Sequence, residues 1–266
     1  MSEADTQRFL AFADTLADAA RAAILPYFRA EMIVDHKGGE RFDPVTEADR
    51  AAETAMRALI EREFPDHGII GEEFGEKPSK SGFTWALDPI DGTRAFISGL
   101  PLWGVLIALA QDGVPRIGVM DQPYLDERFK GWTGGDAIGA SLRARGQTRP
   151  LKTRPCAGLD EATLSTTDPT LFKDKEAEAF ARVRQHVKLT RYGYDCYAYA
   201  MLAAGHIDVV IESGLKPFDI QALIPIIQGA GGDVCDWDGE DASGGGRVLA
   251  CGDVGLRIEL KALLRA

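Results

Sequence analysis

Cysteine is scarce in this 266-residue chain: Cys156, Cys196, Cys235 and Cys251 are scattered without a close pair. That scatter excludes the paired spacings of zinc and redox sites, so the thiols are expected as small buried hydrophobes in a reducing compartment. No uninterrupted apolar run reaches the roughly 18 residues that a membrane span requires, and Met1 to Gln7 is polar and acidic where a signal segment would be basic and then apolar. The expected location is therefore the cytoplasm. Positive charge is in deficit, with 30 Lys and Arg against 41 Asp and Glu and a formal net charge of −11. Such a surface repels phosphate backbones and anionic lipid, which argues against nucleic-acid and membrane partners, although solubility alone also favours it. His36, His67, His186 and His206 lack metal-ligand spacing, which argues against a histidine-ligated transition metal and leaves them as surface or packing residues. Internal repeats and low-complexity tracts are missing as well.

What is present is an ordinary globular composition, 45% apolar and 27% charged, and the length suits one unit with two lobes. Phe9, Phe12, Ala13, Leu16, Ala20, Ala23 and Ile24 recur at helical spacing. A second helix is expected from Thr46, with Asp49 as a capping-box acid, to Phe64 before Pro65. The period then shortens. Strands are expected at 68–71 and 83–87, followed by a meander over 103–110, 114–120 and 128–132. From Gly134 to Gly158 the composition turns to Gly, Arg, Thr and Pro, marking a lobe boundary that divides the chain into residues 1–145 and 146–266. The second half alternates strands (162–166, 207–211, 232–235, 248–251) with helices (173–185, 196–204, 220–229, 254–264), the pattern of helices layered on a sheet.

The chemistry concentrates at Asp88-Pro89-Ile90-Asp91-Gly92-Thr93. A buried strand runs into two acids three apart, then into Gly-Thr at a helix start. Pro89 fixes the backbone, so Asp88 and Asp91 can share a hard cation, while the amides of Gly92 and Thr93 offer an anion site. Asp-Pro and Asp-Gly are also ordinary turn formers. Gly71-Glu72-Glu73, Asp49 and Asp219 supply further acids from separate elements, as oxygen-ligand metal sites require, though Asp219 taken alone also reads as a helix N-cap.

In order and spacing these blocks, together with Phe218-Asp219 to Gly232, resemble the inositol monophosphatase superfamily, and the resemblance covers nearly the whole chain. It implies an α+β fold, a layered αβαβα sandwich, and magnesium-dependent hydrolysis of a small phosphate monoester with lithium sensitivity and a homodimer. Carried over by position, Glu72, Asp88 and the Ile90 carbonyl would hold a first magnesium and Asp88, Asp91 and Asp219 a second, with Glu72 sharing a weaker third. Thr93, with Asp49 and Glu72, would orient or deprotonate a metal-activated water, the nucleophile. Lys37 stands one residue further from Asp49 than its counterpart in the inositol enzymes, which leaves its role open.

Within the superfamily, the run Thr190-Arg191-Tyr192-Gly193-Tyr194-Asp195-Cys196-Tyr197-Ala198-Tyr199 resembles the histidinol-phosphate phosphatase branch, as do Ser98 to Gly104, Met120 to Pro123 and Leu164 to Thr167. Histidinol phosphate carries an ammonium and an imidazole, and a cationic leaving group calls for extra carboxylates. Glu212, which matches a family substrate contact seven residues before Asp219, and Asp195, the added acid, are expected to hold that end, with Arg191 bracing them or the phosphate and Asp91 and Asp219 also facing the substrate. Asp195 also reads as an N-cap, and the tyrosines as core packing or as stacking surfaces. The alternatives are an inositol-1-phosphatase or broad sugar-phosphate phosphatase, and a catalytically silent phosphometabolite binder.

Overall fold

The computed structural model describes residues 1–30, 34–36, 44–134 and 138–265. Lys37 therefore lies outside the described residues. The N-terminal repeat forms α1 (Glu3–Ile24), whose Ser2 cap accepts the Asp5 N–H at 3.1 Å. An antiparallel pair, β1 (Val34–His36) and β2 (Pro44–Thr46), leads into α2 (Glu47–Glu63). The chain then lays down β3 (Gly68–Gly71), β4 (Gly75–Lys77), β5 (Phe83–Asp91), the short helix α3 (Thr93–Ile97), β6 (Gly104–Gln111), β7 (Val114–Gln122), β8 (Glu127–Trp132), β9 (Gly139–Ala144) and β10 (Gln147–Pro150). These strands build one eight-stranded sheet in the order β10-β9-β8-β7-β6-β5-β3-β4.

The rest of the chain supplies β11 (Thr163–Thr166), α4 (Lys175–His186), β12 (Leu189–Tyr192), α5 (Asp195–Ala203), β13 (Val209–Leu215), α6 (Pro217–Ile220), α7 (Leu223–Gly229), β14 (Asp233–Cys235), β15 (Gly246–Cys251) and α8 (Arg257–Arg265). Its five-stranded sheet runs β12-β11-β13-β15-β14. Three apolar cores separate five layers. Phe9, Leu16, Met56 and Trp85 join α1 and α2 to the large sheet. Met120, Phe129, Tyr199 and Ile226 fill the space around α5 and α7 between the sheets. Val183, Ile211, Trp237 and Leu260 pack α4 and α8 on the small sheet. The architecture is the expected αβαβα sandwich.

Several expected elements differ. The helix anticipated over 220–229 is broken into α6 and α7, because Pro225 has no N–H to donate to the Gln221 carbonyl one turn back. Strands β9 and β10 occupy the segment read as a lobe boundary, and the expected division between residues 145 and 146 falls in their two-residue turn, where Arg145 and Gly146 have φ 51° and 74°. Only Ala140 and Leu142 of β9 are buried, too few to raise an alternating signal. The layers meet closely at Gly118 and Gly131, which pair across β7 and β8. A Cβ on Gly118 would lie 1.8 Å from the Ala222 carbonyl oxygen. The two glycines let the backbone of α7 lie against the sheet, which carries α6 to the end of β5.

Candidate active site

The end of β5 is built around a bulge. Asp88 pairs with Leu106 and Asp91 with Gly104, so β5 spends one more residue than β6 between the two pairs. Residues three apart on a regular strand face opposite sides, and the extra residue returns Asp91 to the side of Asp88. Oδ1 of Asp88 accepts the Ile90 N–H at 3.0 Å, closing the Pro89 turn. Asp219 arrives on α6, where its Oδ2 accepts the Lys216 N–H at 2.7 Å. Lys216 holds the cap position and Asp219 the third helical one, so Asp219 is not the N-cap but its capping-box partner. Carboxylate oxygens of Asp88, Asp91 and Asp219 lie within 4.8 Å of one another, and Asp88 hydrogen-bonds both Glu72 and Asp219.

A second cluster joins Asp49, Glu72 and Glu73 within the same 4.8 Å limit. Oδ2 of Asp49 accepts the Thr46 N–H at 2.9 Å and the Thr46 hydroxyl at 2.6 Å, the expected capping box. One turn further along α2, the fully buried Glu53 accepts the Glu73 N–H at 2.7 Å, the Phe74 N–H at 3.2 Å and Arg57 Nε at 2.7 Å. Glu53 thus fixes the loop that carries Glu72. The sequence reading does not single it out, although Asp49, Glu53 and Arg57 repeat at four-residue spacing on one helix face.

Between the clusters the chain turns at Gly92, with φ 88°, where a Cβ would come within 3.0 Å of the Leu102 carbonyl oxygen and 3.2 Å of the Asp195 Cβ. Only glycine meets both demands. The Thr93 hydroxyl donates to the Ile90 carbonyl at 3.1 Å. Asp195 opens α5 in the left-handed region at φ 45°, and the next N–H, of Cys196, donates to Oδ2 of Asp91 at 2.6 Å. Glu212, from β13, accepts the Thr167 N–H at 2.6 Å and the Thr166 hydroxyl at 3.2 Å.

These groups surround one cavity of about 560 Å³. Glu72, Asp91, Gly92, Thr93, Asp195, Glu212 and Asp219 line it together. Asp88 and Ile90 are buried and do not line it, nor does Asp49. Arg191 is not brought to it either: it is exposed on β12, an edge strand, where its Nε donates to the Tyr194 hydroxyl at 2.8 Å instead of bracing Asp195 or Glu212. Arg94 and Thr167 line the cavity without having been expected as contacts, and so does Tyr199, which the sequence leaves open between core packing and stacking. Arg94 could have been found from its place beside Thr93, whereas Thr167 reaches the site only through the pairing of β11 with β13.

Burial dominates the electrostatics. It drives the Asp88 and Asp91 carboxyls well above the ordinary range, with repulsion from Glu72 acting on Asp88 and from Asp195 on Asp91. Burial also lifts Asp219 to about 7, Glu212 to about 8 and Asp49 to about 6, and lifts Asp195 to about 6 against the opposing charge of Arg94. The Cys196 thiol is pushed up as well, which disfavours a thiolate ligand. An all-oxygen set of crowded acids fits a hard divalent cation, which would neutralise charges that the fold otherwise forces together.

A model of the inositol monophosphatase family matches residues 5–264. A chloroplastic protein of Arabidopsis thaliana named bifunctional phosphatase IMPL2 is 45% identical over 90% of this chain and 67% of its own length. A histidinol-phosphatase of Chlorobaculum parvum is 37% identical over 85% of both chains. Among solved structures, that of an inositol monophosphatase from Zymomonas mobilis covers 98% of both chains at 40% identity with a TM-score of 0.87. Among the described residues no helix is long and apolar enough to cross a membrane.

Proposed function

The chain belongs to the inositol monophosphatase family, and from that premise we propose that this phosphatase hydrolyses L-histidinol phosphate to L-histidinol and phosphate. The observation that carries the choice of substrate is the pair Asp195 and Glu212, two carboxylates outside both metal-type clusters that line the same cavity as Asp91 and Asp219. A neutral polyol offers these acids hydroxyl donors alone, whereas an ammonium and a protonated imidazole also pair with their charge and favour their ionised forms against burial. Relatives named histidinol-phosphatase, at 37% and 33% identity, support the same reading.

Glu72, Asp88, the Ile90 carbonyl, Asp91 and Asp219 would hold magnesium. Bound there, the cations would offset charge on the phosphoryl oxygens and lower the pKa of the attacking water. Thr93, Glu72 and Asp49 orient that water, and a carboxylate of the Asp49 and Glu72 cluster takes its proton. The first-turn N–H groups of α3, at Gly92 and Thr93, bind phosphate oxygens. Water oxygen adds to phosphorus as the ester P–O bond breaks, and the departing alkoxide takes a proton to leave as the free alcohol. Asp195 and Glu212 hold the cationic end of that alcohol, which fixes the ester in line.

The second reading, an inositol-1-phosphatase, is favoured by the likeness to the Zymomonas enzyme. Asp195→Asn separates the two. It is expected to lower kcat/KM for L-histidinol phosphate about 10- to 100-fold while changing that for inositol-1-phosphate less than about threefold, the loss of one charge-assisted hydrogen bond. Equal losses on both would contradict the assignment.

A further inference from the structure

Tyr199 lies four residues after Asp195 on α5, so the two side chains share a face of the helix. Its ring is part of the core between the sheets and the residue is 3% exposed, yet it lines the cavity. The hydroxyl is buried and makes no hydrogen bond among the described residues. Neighbouring tyrosines behave differently. The Tyr197 hydroxyl donates to Glu127 at 2.6 Å and that of Tyr194 accepts from Arg191 at 2.8 Å. If Tyr199 served packing alone, phenylalanine would fill the same volume without leaving a buried polar atom unpaired, an arrangement that destabilises a fold.

The surroundings of the hydroxyl point to what pairs with it. Glu212, Asp91 and Asp219 are its charged neighbours, and with burial they keep the phenol protonated. Glu212 is held in place by Thr166 and Thr167, and α5 by the bond from the Cys196 N–H to Asp91. A rigid acceptor and an unpaired hydroxyl therefore line the same cavity as the cation-type cluster, with Asp91 and Asp219 of that cluster among the neighbours of the hydroxyl. We propose that Tyr199 is a specificity-determining residue, its hydroxyl pairing with an N–H or O–H group on the leaving alcohol of the substrate. The proposal rests on the reading of the cavity as a phosphate monoester site, and not on which alcohol is preferred.

The test is Tyr199→Phe assayed on L-histidinol phosphate, inositol-1-phosphate and phenyl phosphate, whose leaving group offers no such donor. For whichever alcohol ester the wild type prefers, kcat/KM is expected to fall about tenfold, mainly through KM, with less than about twofold change on phenyl phosphate. The melting temperature is expected to hold or rise, since an unpaired buried hydroxyl is removed. A parallel fall on all three esters, or no fall on any, overturns the proposal. So does a wild type that turns over phenyl phosphate as well as either alcohol ester. The wild-type preference alone decides between the two alcohols, so the assignment of histidinol phosphate and the role of Tyr199 fail independently.

Discussion

Oδ2 of Asp91 accepts the backbone N–H of Cys196 at 2.6 Å, tying the end of β5 to the first turn of α5. One carboxylate thus belongs to the acidic cluster and also anchors the helix that carries Asp195 and Tyr199. The acidic cluster and the first turn of α5 are held together by this bond.

Asp91→Asn keeps an oxygen that can accept from Cys196 but removes the charge. Turnover of every phosphate ester is expected to drop by about 10³-fold, equivalent to ~4 kcal/mol of transition-state stabilisation, with the melting temperature little changed. Steady-state kinetics and a thermal melt check both. Full activity in the variant would remove Asp91 from the reaction, and a wild type with no phosphatase activity would favour the silent-binder alternative.

Glu53 acts on the reaction only through the loop that bears Glu72. Glu53→Gln is expected to raise the magnesium concentration for half-maximal activity about tenfold while leaving activity at saturating magnesium within about threefold. Glu53→Ala strands the Glu73 and Phe74 N–H groups and the Arg57 charge, with an expected loss of about 2–4 kcal/mol in denaturant unfolding. A magnesium titration identical to wild type in Glu53→Gln would contradict the positioning role.

Cation binding should release protons, because burial holds Asp88 and Asp91 well above the usual carboxylate range and Asp219 at about 7. Magnesium is therefore expected to raise the melting temperature more at pH 8 than at pH 6, and chelation to reverse the gain. At 100 times its dissociation constant the ion would contribute about 2.7 kcal/mol. A gain that is larger at pH 6 would contradict the assignment of these acids.

Away from the site, His67 accepts from Trp85 Nε1 at 3.1 Å and stacks on Phe64 and Phe83. Burial, aided by Arg8 and Lys77, pushes its pKa from 6.5 down to about 4. The unfolded chain takes up the proton first, so this residue's contribution is full above pH 6.5, declines as pH falls towards 4 and is constant below. The melting temperature of the wild type should accordingly fall more steeply across that window than that of His67→Phe. Parallel profiles would contradict the account.

How much of this was legible in the sequence depends on whether the signal was local. The return of Asp91 to the side of Asp88 and the cap at Thr46 and Asp49 follow from residues close together in the chain, whereas the five-layer order came from the resemblance to the inositol monophosphatase superfamily. Pro225 is equally local, and its break between α6 and α7 could have been read. Glu53 was hidden because a buried carboxylate on a helix looks like any surface glutamate until its partner loop is known. Arg191 reads as a site residue by position in a motif, but on β12 it is exposed and its Nε donates to the Tyr194 hydroxyl. Tyr199 is open between core and substrate in the sequence, and the structure places its ring in the core while the residue also lines the cavity.

The most direct measurement is phosphate release by the purified protein with magnesium on L-histidinol phosphate, inositol-1-phosphate and fructose-1,6-bisphosphate, beside a metal-free control. The expected result is a kcat/KM at least about 100-fold higher for L-histidinol phosphate, matching two charge-assisted contacts to its cationic end, and no release without the ion. Equal or greater activity on inositol-1-phosphate would contradict the reading of Asp195 and Glu212 as the wall that selects the substrate.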